Sequence, residues 1–205
     1  MGDSNRGLKH CVTLMDREPA LRLLRAHAAR LLDAHEAAMT VETMLFVEAH
    51  ADCLLRTCAP GHLTGSAWIV NRDRTRTLLT HHRKLDKWLQ LGGHADGDGD
   101  LIAVALRETR EESGLTRLRV VSAEIFDLDR HWIPPRKTDP GHYHYDLRFM
   151  IEADDTESLT ISHESKDLAW VEVARVTSLN PEESMARMVR KTPAVVSPAT
   201  AEDDV

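Results

Sequence analysis

The sequence predicts an α/β fold, a mixed sheet sandwiched between helices with a helical N-terminal extension ahead of it, and three features carry that prediction. Apolar residues recur at helical spacing in the first sixty residues. From residue 61 onward, short alternating segments read as strands. Among them one Gly- and Asp-rich loop runs into a single acid-rich helix with strands on both sides, and a closing helix follows. The chain therefore divides into a helical extension at 1–60, a main domain at 61–191 and a disordered tail at 192–205.

Residues 1–15 read as poorly ordered. From Pro19, the spacing of Leu21, Leu24, Ala28, Leu31, Leu32 and His35 gives a first helix, with Asp16 as N-cap and Pro19 in the first turn. A second runs over about 41–56, with Leu45, Ala49 and Leu54 or Leu55 facing inward. The extension could pack on the main domain, line a substrate cleft or join two subunits as a homodimer, and packing is the simplest outcome.

After Ala59-Pro60-Gly61 the composition changes. Residues 64–70 alternate as a strand, 71–74 turn, and 76–80 return as its partner. Residues 88–91 form a short strand leading into Gly92-Gly93, where glycine permits close backbone approach. The acid-rich helix starts with Asp98 or Asp100 as N-cap and stops at Gly114. Residues 118–128 are a strand, 133–141 a loop with three prolines, 143–152 a returning strand and 168–173 a last short one. Asn180-Pro181 opens a helix to about residue 190, cap followed by Pro at N1. The tail from Thr192 combines prolines, small residues and an acidic end.

With 205 residues, 42% of them hydrophobic, the chain can bury a real core. A formal charge of −7 argues against a broad basic face for duplex nucleic acid, while a local basic site for phosphates is compatible with it, so substrates should be small. No run approaches ~18 apolar residues and the N-terminus lacks a signal-peptide core, which predicts a cytoplasmic protein with no membrane partner. Cys11, Cys53 and Cys58 make no disulfide framework. Cys53 and Cys58 could join His62 around zinc, but unligated thiols are the simpler reading.

Chemistry concentrates at Glu108, Glu111 and Glu112. Three and four apart on a helix, they share one face, and Glu108 and Glu112 continue the apolar stripe of Leu101, Val104 and Ala105. Partly buried like charges need a counter-charge. Arg107 supplies some, and a divalent cation that favours hard oxygen ligands would supply the rest.

This stretch resembles the Nudix box: Gly93, Arg107, Glu108, Glu111, Glu112, Gly114 and Leu115 all fall in register with it. Two positions depart. Thr109 stands at an apolar position, and Gly99 replaces the first glutamate, which in the family commonly braces the helix through the arginine. Asp98 and Asp100 flank the gap. The resemblance implies a Nudix-type α/β/α sandwich over about 61–190 and a Mg²⁺- or Mn²⁺-dependent pyrophosphohydrolase. It further implies Glu111 and Glu112 as metal ligands, Glu108 as ligand or base, Arg107 as an orienting residue, and the Gly92 carbonyl as a further ligand. Similar enzymes often carry another glutamate near the last strand, which makes Glu164 a candidate base or ligand.

Outside the box, His81, His82 and Lys84 precede Trp88 and could neutralise a diphosphate, as could His94 in the box loop; a solvated basic turn is the plainer alternative. His142, His144 and Asp146 alternate on one strand and so face one side; with His131 they could make a second metal site, half-buried strand residues being the plainer alternative. Trp88, Trp132, Tyr143 and Tyr145 could stack on a base, though aromatic residues mostly build core.

The leading functional expectation is therefore hydrolysis of a nucleoside diphosphate linked to another moiety, by water attack at phosphorus. A hydrolytically weak domain sensing a nucleotide or metabolite is the alternative, motivated by Gly99. An isoprenoid diphosphate isomerase fits less well, because that chemistry would want a cysteine and none follows Gly61. Restoring the missing carboxylate, Gly99→Glu, is expected to raise turnover or tighten metal binding.

Overall fold

The computed structural model describes residues 16–30, 32–136 and 140–193. The expectations for residues 1–15, for Leu31 and for 194–205 lie outside the described residues. One eight-stranded mixed sheet carries helices on both faces. Its strands are β1 (Gly61–Val70), β2 (Arg76–His82), β3 (Lys87–Leu89), β4 (Leu91–His94), β5 (Leu118–Val120), β6 (Asp127–Ile133), β7 (His142–Ala153) and β8 (Ser165–Glu172). The helices are α1 (Glu18–Ala28), α2 (Ala34–Ala49), α3 (Leu101–Ser113), α4 (Val176–Leu179) and α5 (Glu183–Lys191). Central β1 runs parallel to β7 over its whole length and antiparallel to β2 and β4.

Strand parity sorts the interior. On β1, Leu63, Ala67 and Ile69 face one core, which they share with α1, α2 and α3, while Trp68 and Val70 face a second core closed by Met185 and Met188 of α5. On β7, Leu147, Phe149 and Ile151 join the first core and Met150 the second. The remaining residues of the second face, His62, Thr64 and Ser66 on β1 and His144, Asp146 and Arg148 on β7, are polar, and the strands' register sets them side by side. That half of the face is left uncovered by α5 and floors a cleft.

The N-terminal helices pack on the main domain. Ala20, Leu24 and Val47 are wholly buried in the same core as Leu63 and Phe149, and full burial of a leucine contributes about 1.5–3 kcal/mol.

Several boundaries differ from expectation for local reasons. The first helix stops at Ala28, not at His35, because Asp33 accepts the Glu36 N–H and starts α2 early. Helix α2 ends at Ala49 as His50 turns extended, and residues 51–59 form turns. Leu45, expected inward, is 60% exposed, and Ala49 is exposed too, since Met39, Thr43, Phe46 and Val47 take the buried face; Leu54 is buried from the turn segment. The strand expected at 118–128 divides: β5 and β6 both pair with β7, and residues 121–126 bulge between them. The strand expected at 88–91 also divides at Gln90, where the chain passes from β2 to β1. Asn180 does not cap α5; its amide ties to the Trp88 carbonyl at 2.9 Å, and Glu182 takes the N-cap place.

Candidate active site

Helix α3 is built as its sequence dictates. Asp100 accepts the Ala103 N–H at 3.1 Å, and Gly114 ends the helix in the left-handed region, φ 75°. Leu101, Val104 and Ala105 are wholly buried. Thr109 is buried as well: its hydroxyl donates to the Ala105 carbonyl at 2.8 Å, so the side chain hides its polarity within the helix and fits an apolar place.

The carboxylates follow from that burial. Glu108 lies so close to Gly93 that a Cβ there would sit 2.4 Å from its carboxyl, so any side chain at that point would push the carboxylate aside. A Cβ at Gly92 would likewise strike Ser66 at 2.2 Å. Burial pushes the Glu108 carboxyl up from its ordinary range, partly offset by Arg107. Glu112 is pushed up to about 8, first by burial and then by the charges of Glu108, Glu164 and Glu111. Arg107 donates to Glu108 and to the His94 carbonyl, both at 3.0 Å. One arginine beside this group of carboxylates leaves the site short of positive charge. An all-oxygen donor set of that kind suits a hard divalent cation such as Mg²⁺ or Mn²⁺.

Gly99 has a structural explanation. A Cβ there would lie 2.2 Å from the Asp16 carbonyl oxygen, at the entry to α1. The N-terminal extension therefore occupies the space a side chain would need. Neither flanking acid replaces the missing brace: Asp100 caps α3, and Asp98 accepts the Asp100 N–H at 2.9 Å. Arg107 is instead anchored on the backbone of His94.

A cleft of about 1270 Å³ gathers most of the expected residues. Gly92, Arg107, Glu108, Glu111, Glu112 and Glu164 line it together, joined by His82, Lys84, His94 and His144. Glu164 arrives on the loop before β8, which Arg83 holds through the carbonyls of His163 and Ser165, at 3.1 and 2.8 Å. Burial lowers the His82 and His94 pKa values, that of His94 to about 4, so both imidazoles are neutral at pH 7.

His81 and Trp88, expected against the substrate, do not line the cleft. They stack on each other with ring centroids 5.1 Å apart, and His81 is tied to Asp86 at 2.8 Å, because this cross-strand pair of the β2–β3 hairpin projects to the face opposite the next pair, His82 and Lys87, which does line the cleft. Tyr145 packs on Phe46 at 4.0 Å, in the core, whereas Trp132 is 51% exposed at the cleft. Cys53 and Cys58 are buried free thiols, which burial pushes up to about 11 and about 12. His62 meets other histidines instead.

Sequence reasoning missed the charged floor. Arg148 donates to Asp146, Asp127 and Asp129 at 2.8, 3.0 and 3.2 Å, and Arg187 of α5 donates to Asp127 at 2.7 and 2.9 Å. Asp146 also accepts from Thr64, Ser66 and Gln90, so it is committed to this network rather than to the histidines beside it. Cleft residues Arg56, Lys87 and Arg136 were missed too. The period-two run His62, Thr64, Ser66 was the available signal for the floor, and starting the strand at Thr64 hid it.

A family model described as NUDIX domain matches residues 62–192. Among solved structures, an Ap4A hydrolase binary complex from C. elegans is 18% identical, at TM-score 0.50, covering 63% of this chain and 93% of that one. The dihydroneopterin triphosphate pyrophosphohydrolase of E. coli is 15% identical, also at TM-score 0.50, covering 63% and 94%. A NUDIX-family hydrolase from Clostridium perfringens is 23% identical, at TM-score 0.47, covering 64% and 95%. At such identities the likeness is one of fold. No curated protein matches.

Proposed function

Because the chain belongs to the NUDIX family, we propose that it is a pyrophosphohydrolase that cleaves the diphosphate of a small nucleotide-type substrate, a nucleoside diphosphate linked to another moiety, using Mg²⁺ or Mn²⁺. The observation that carries this reading is the crowding of Glu108, Glu111, Glu112 and Glu164 on one cleft, where burial and the neighbouring carboxylates push the Glu112 carboxyl up to about 8. A cation bound there neutralises diphosphate oxygens and makes water a better nucleophile. Glu111 and Glu112 hold it, with the Gly92 carbonyl; Glu108, oriented by Arg107, serves as ligand or base. Glu164 is the second candidate base. Lys84, Arg136 and His82 line the same cleft and offer donors to phosphate oxygens, and exposed Trp132 offers a face for a base to stack on.

Gly99 motivates a binding-only sensor, but the contact with Asp16 explains that glycine without loss of the carboxylates. Among the described residues no helix is long and apolar enough to cross a membrane.

The test is phosphate release from a panel of nucleoside triphosphates, dinucleoside polyphosphates, sugar nucleotides and dinucleotides, with Mg²⁺ and with Mn²⁺. Turnover of at least one class, abolished by chelator, is expected. Tight binding of a panel member with no turnover in either metal would favour the sensor.

A further inference from the structure

The cleft holds a second group of ligating side chains, made of imidazoles and not of carboxylates. Register creates it: His131 of β6 pairs with His144 of β7, which pairs with His62 of β1. His142, two residues before His144 on the same strand, shares that face. The nearest possible ligand atoms of His62, His142 and His144 all lie within 4.8 Å of one another.

His62 is the telling member. It is 2% exposed, and neither ring nitrogen has a hydrogen-bond partner. Orphaning both nitrogens of a buried imidazole is costly, since each polar group has given up its water without gaining a partner. Its ring centroid stands 4.8 Å from those of both His142 and His144. His142 is set up as a ligand. His142 Nδ1 lies 2.9 Å from the Pro140 carbonyl, to which it can only donate, so Nε2 carries the free lone pair. That Nε2 lies 3.2 Å from His144 Nε2. Two nitrogens bound at about 2.0–2.1 Å to one tetrahedral ion stand roughly 3.3 Å apart. Burial also lowers His62 to about 4 and His144 to about 2, and the neutral ring is the form that binds metal.

We propose that His62, His142 and His144 bind a borderline transition-metal ion of the Zn²⁺ class, at a site distinct from the carboxylates of α3. Imidazole nitrogen selects Zn²⁺ and its neighbours over Mg²⁺, whereas the glutamates offer only hard oxygen. Three histidines leave the fourth position of a tetrahedral ion to solvent or to a substrate oxygen from the shared cleft. The site does not depend on which substrate is cleaved, nor on whether one is.

The test uses the full chain without a polyhistidine tag, stripped with chelator and titrated with Zn²⁺ in calorimetry and with Co²⁺ by visible absorption. One equivalent of Zn²⁺ should bind with excess Mg²⁺ present, and Co²⁺ should give the intense bands of a tetrahedral nitrogen site. The double variant Glu111→Gln, Glu112→Gln should keep both signals. His62→Ala and His142→Ala should each weaken Zn²⁺ at least tenfold; if His62→Ala does not fold by circular dichroism, His142→Ala, on a half-buried ring at the strand's start, decides. No Zn²⁺ uptake in the presence of Mg²⁺ would overturn the proposal, leaving a stack of neutral histidines. So would binding that the glutamate pair abolishes and His142→Ala leaves intact.

Discussion

Gly99→Ala should destabilise the protein, although a glycine-to-alanine change at ordinary φ usually does the opposite. Restricting the unfolded chain alone would stabilise by about 0.4–1 kcal/mol. Here the new Cβ would lie 2.2 Å from the Asp16 carbonyl oxygen and 3.5 Å from Pro19 Cδ. Relaxed carbon–oxygen contacts are about 3.3 Å or more, so backbone must part from backbone by roughly 1 Å. The entry to α1 cannot move freely, because Arg17 holds the Val47 carbonyl at 2.6 Å and Ala20 and Leu24 are wholly buried. Overpacking of this kind costs about 1–3 kcal/mol. Set against the unfolded-state gain, the middle of the two ranges leaves a net loss of about 1.3 kcal/mol, a fall in Tm of about 3–5 °C for a chain of this size. Gly99→Glu should lose more, and should not raise turnover: the carboxylate that completes the box pattern has no room while the N-terminal extension is docked. Thermal unfolding followed by circular dichroism, with turnover at saturating Mn²⁺, tests both variants. An unchanged or higher Tm for Gly99→Ala would refute the contact, and faster turnover by Gly99→Glu would restore the expectation drawn from the box alone.

Three further outcomes are expected. Glu111→Gln or Glu112→Gln should lower turnover at least about 100-fold while unfolding at or above the metal-free wild-type temperature, since the first removes a repelling charge from a crowded face and the second a buried carboxyl whose ionisation that face opposes; normal turnover by either folded variant would remove the α3 carboxylates from the mechanism. Glu112 should couple cation affinity to pH. Its folded pKa of about 8 exceeds the ordinary 4.5, so the folded, metal-free protein holds a proton that the unfolded chain releases, and its stability contribution declines as pH rises between those values. A cation must displace that proton, so Mg²⁺ affinity by calorimetry should rise up to about tenfold per pH unit towards pH 8 and then level off, and Glu112→Gln should flatten the slope. Asp127→Ala should destabilise by about 3–5 kcal/mol, because it strips a shared counter-charge from Arg148 and Arg187, both buried; a Tm within 2 °C of wild type by calorimetry would contradict that role.

Local chemistry made much of this legible in the one dimension of the chain. The α3 helix, its Asp100 cap, its Gly114 stop and its acidic face depend on residues within four positions of one another, so their spacing carried them. The hairpin of β1 and β2 and the long strand β7 show in their alternation for the same reason. What the sequence alone could not decide was which segments meet. Asp16 and Gly99 are far apart in the chain, and nothing local says that a carbonyl of one fills the space beside the other. His62, His131 and His144 come from three strands that only sheet register aligns, and Asp127, Arg148 and Arg187 from two strands and a helix. Local spacing specifies an element and the face it presents, because its hydrogen bonds close over a few residues; pairing between distant elements is set by burying their apolar faces together, and that burial brings the polar residues between them into one cleft.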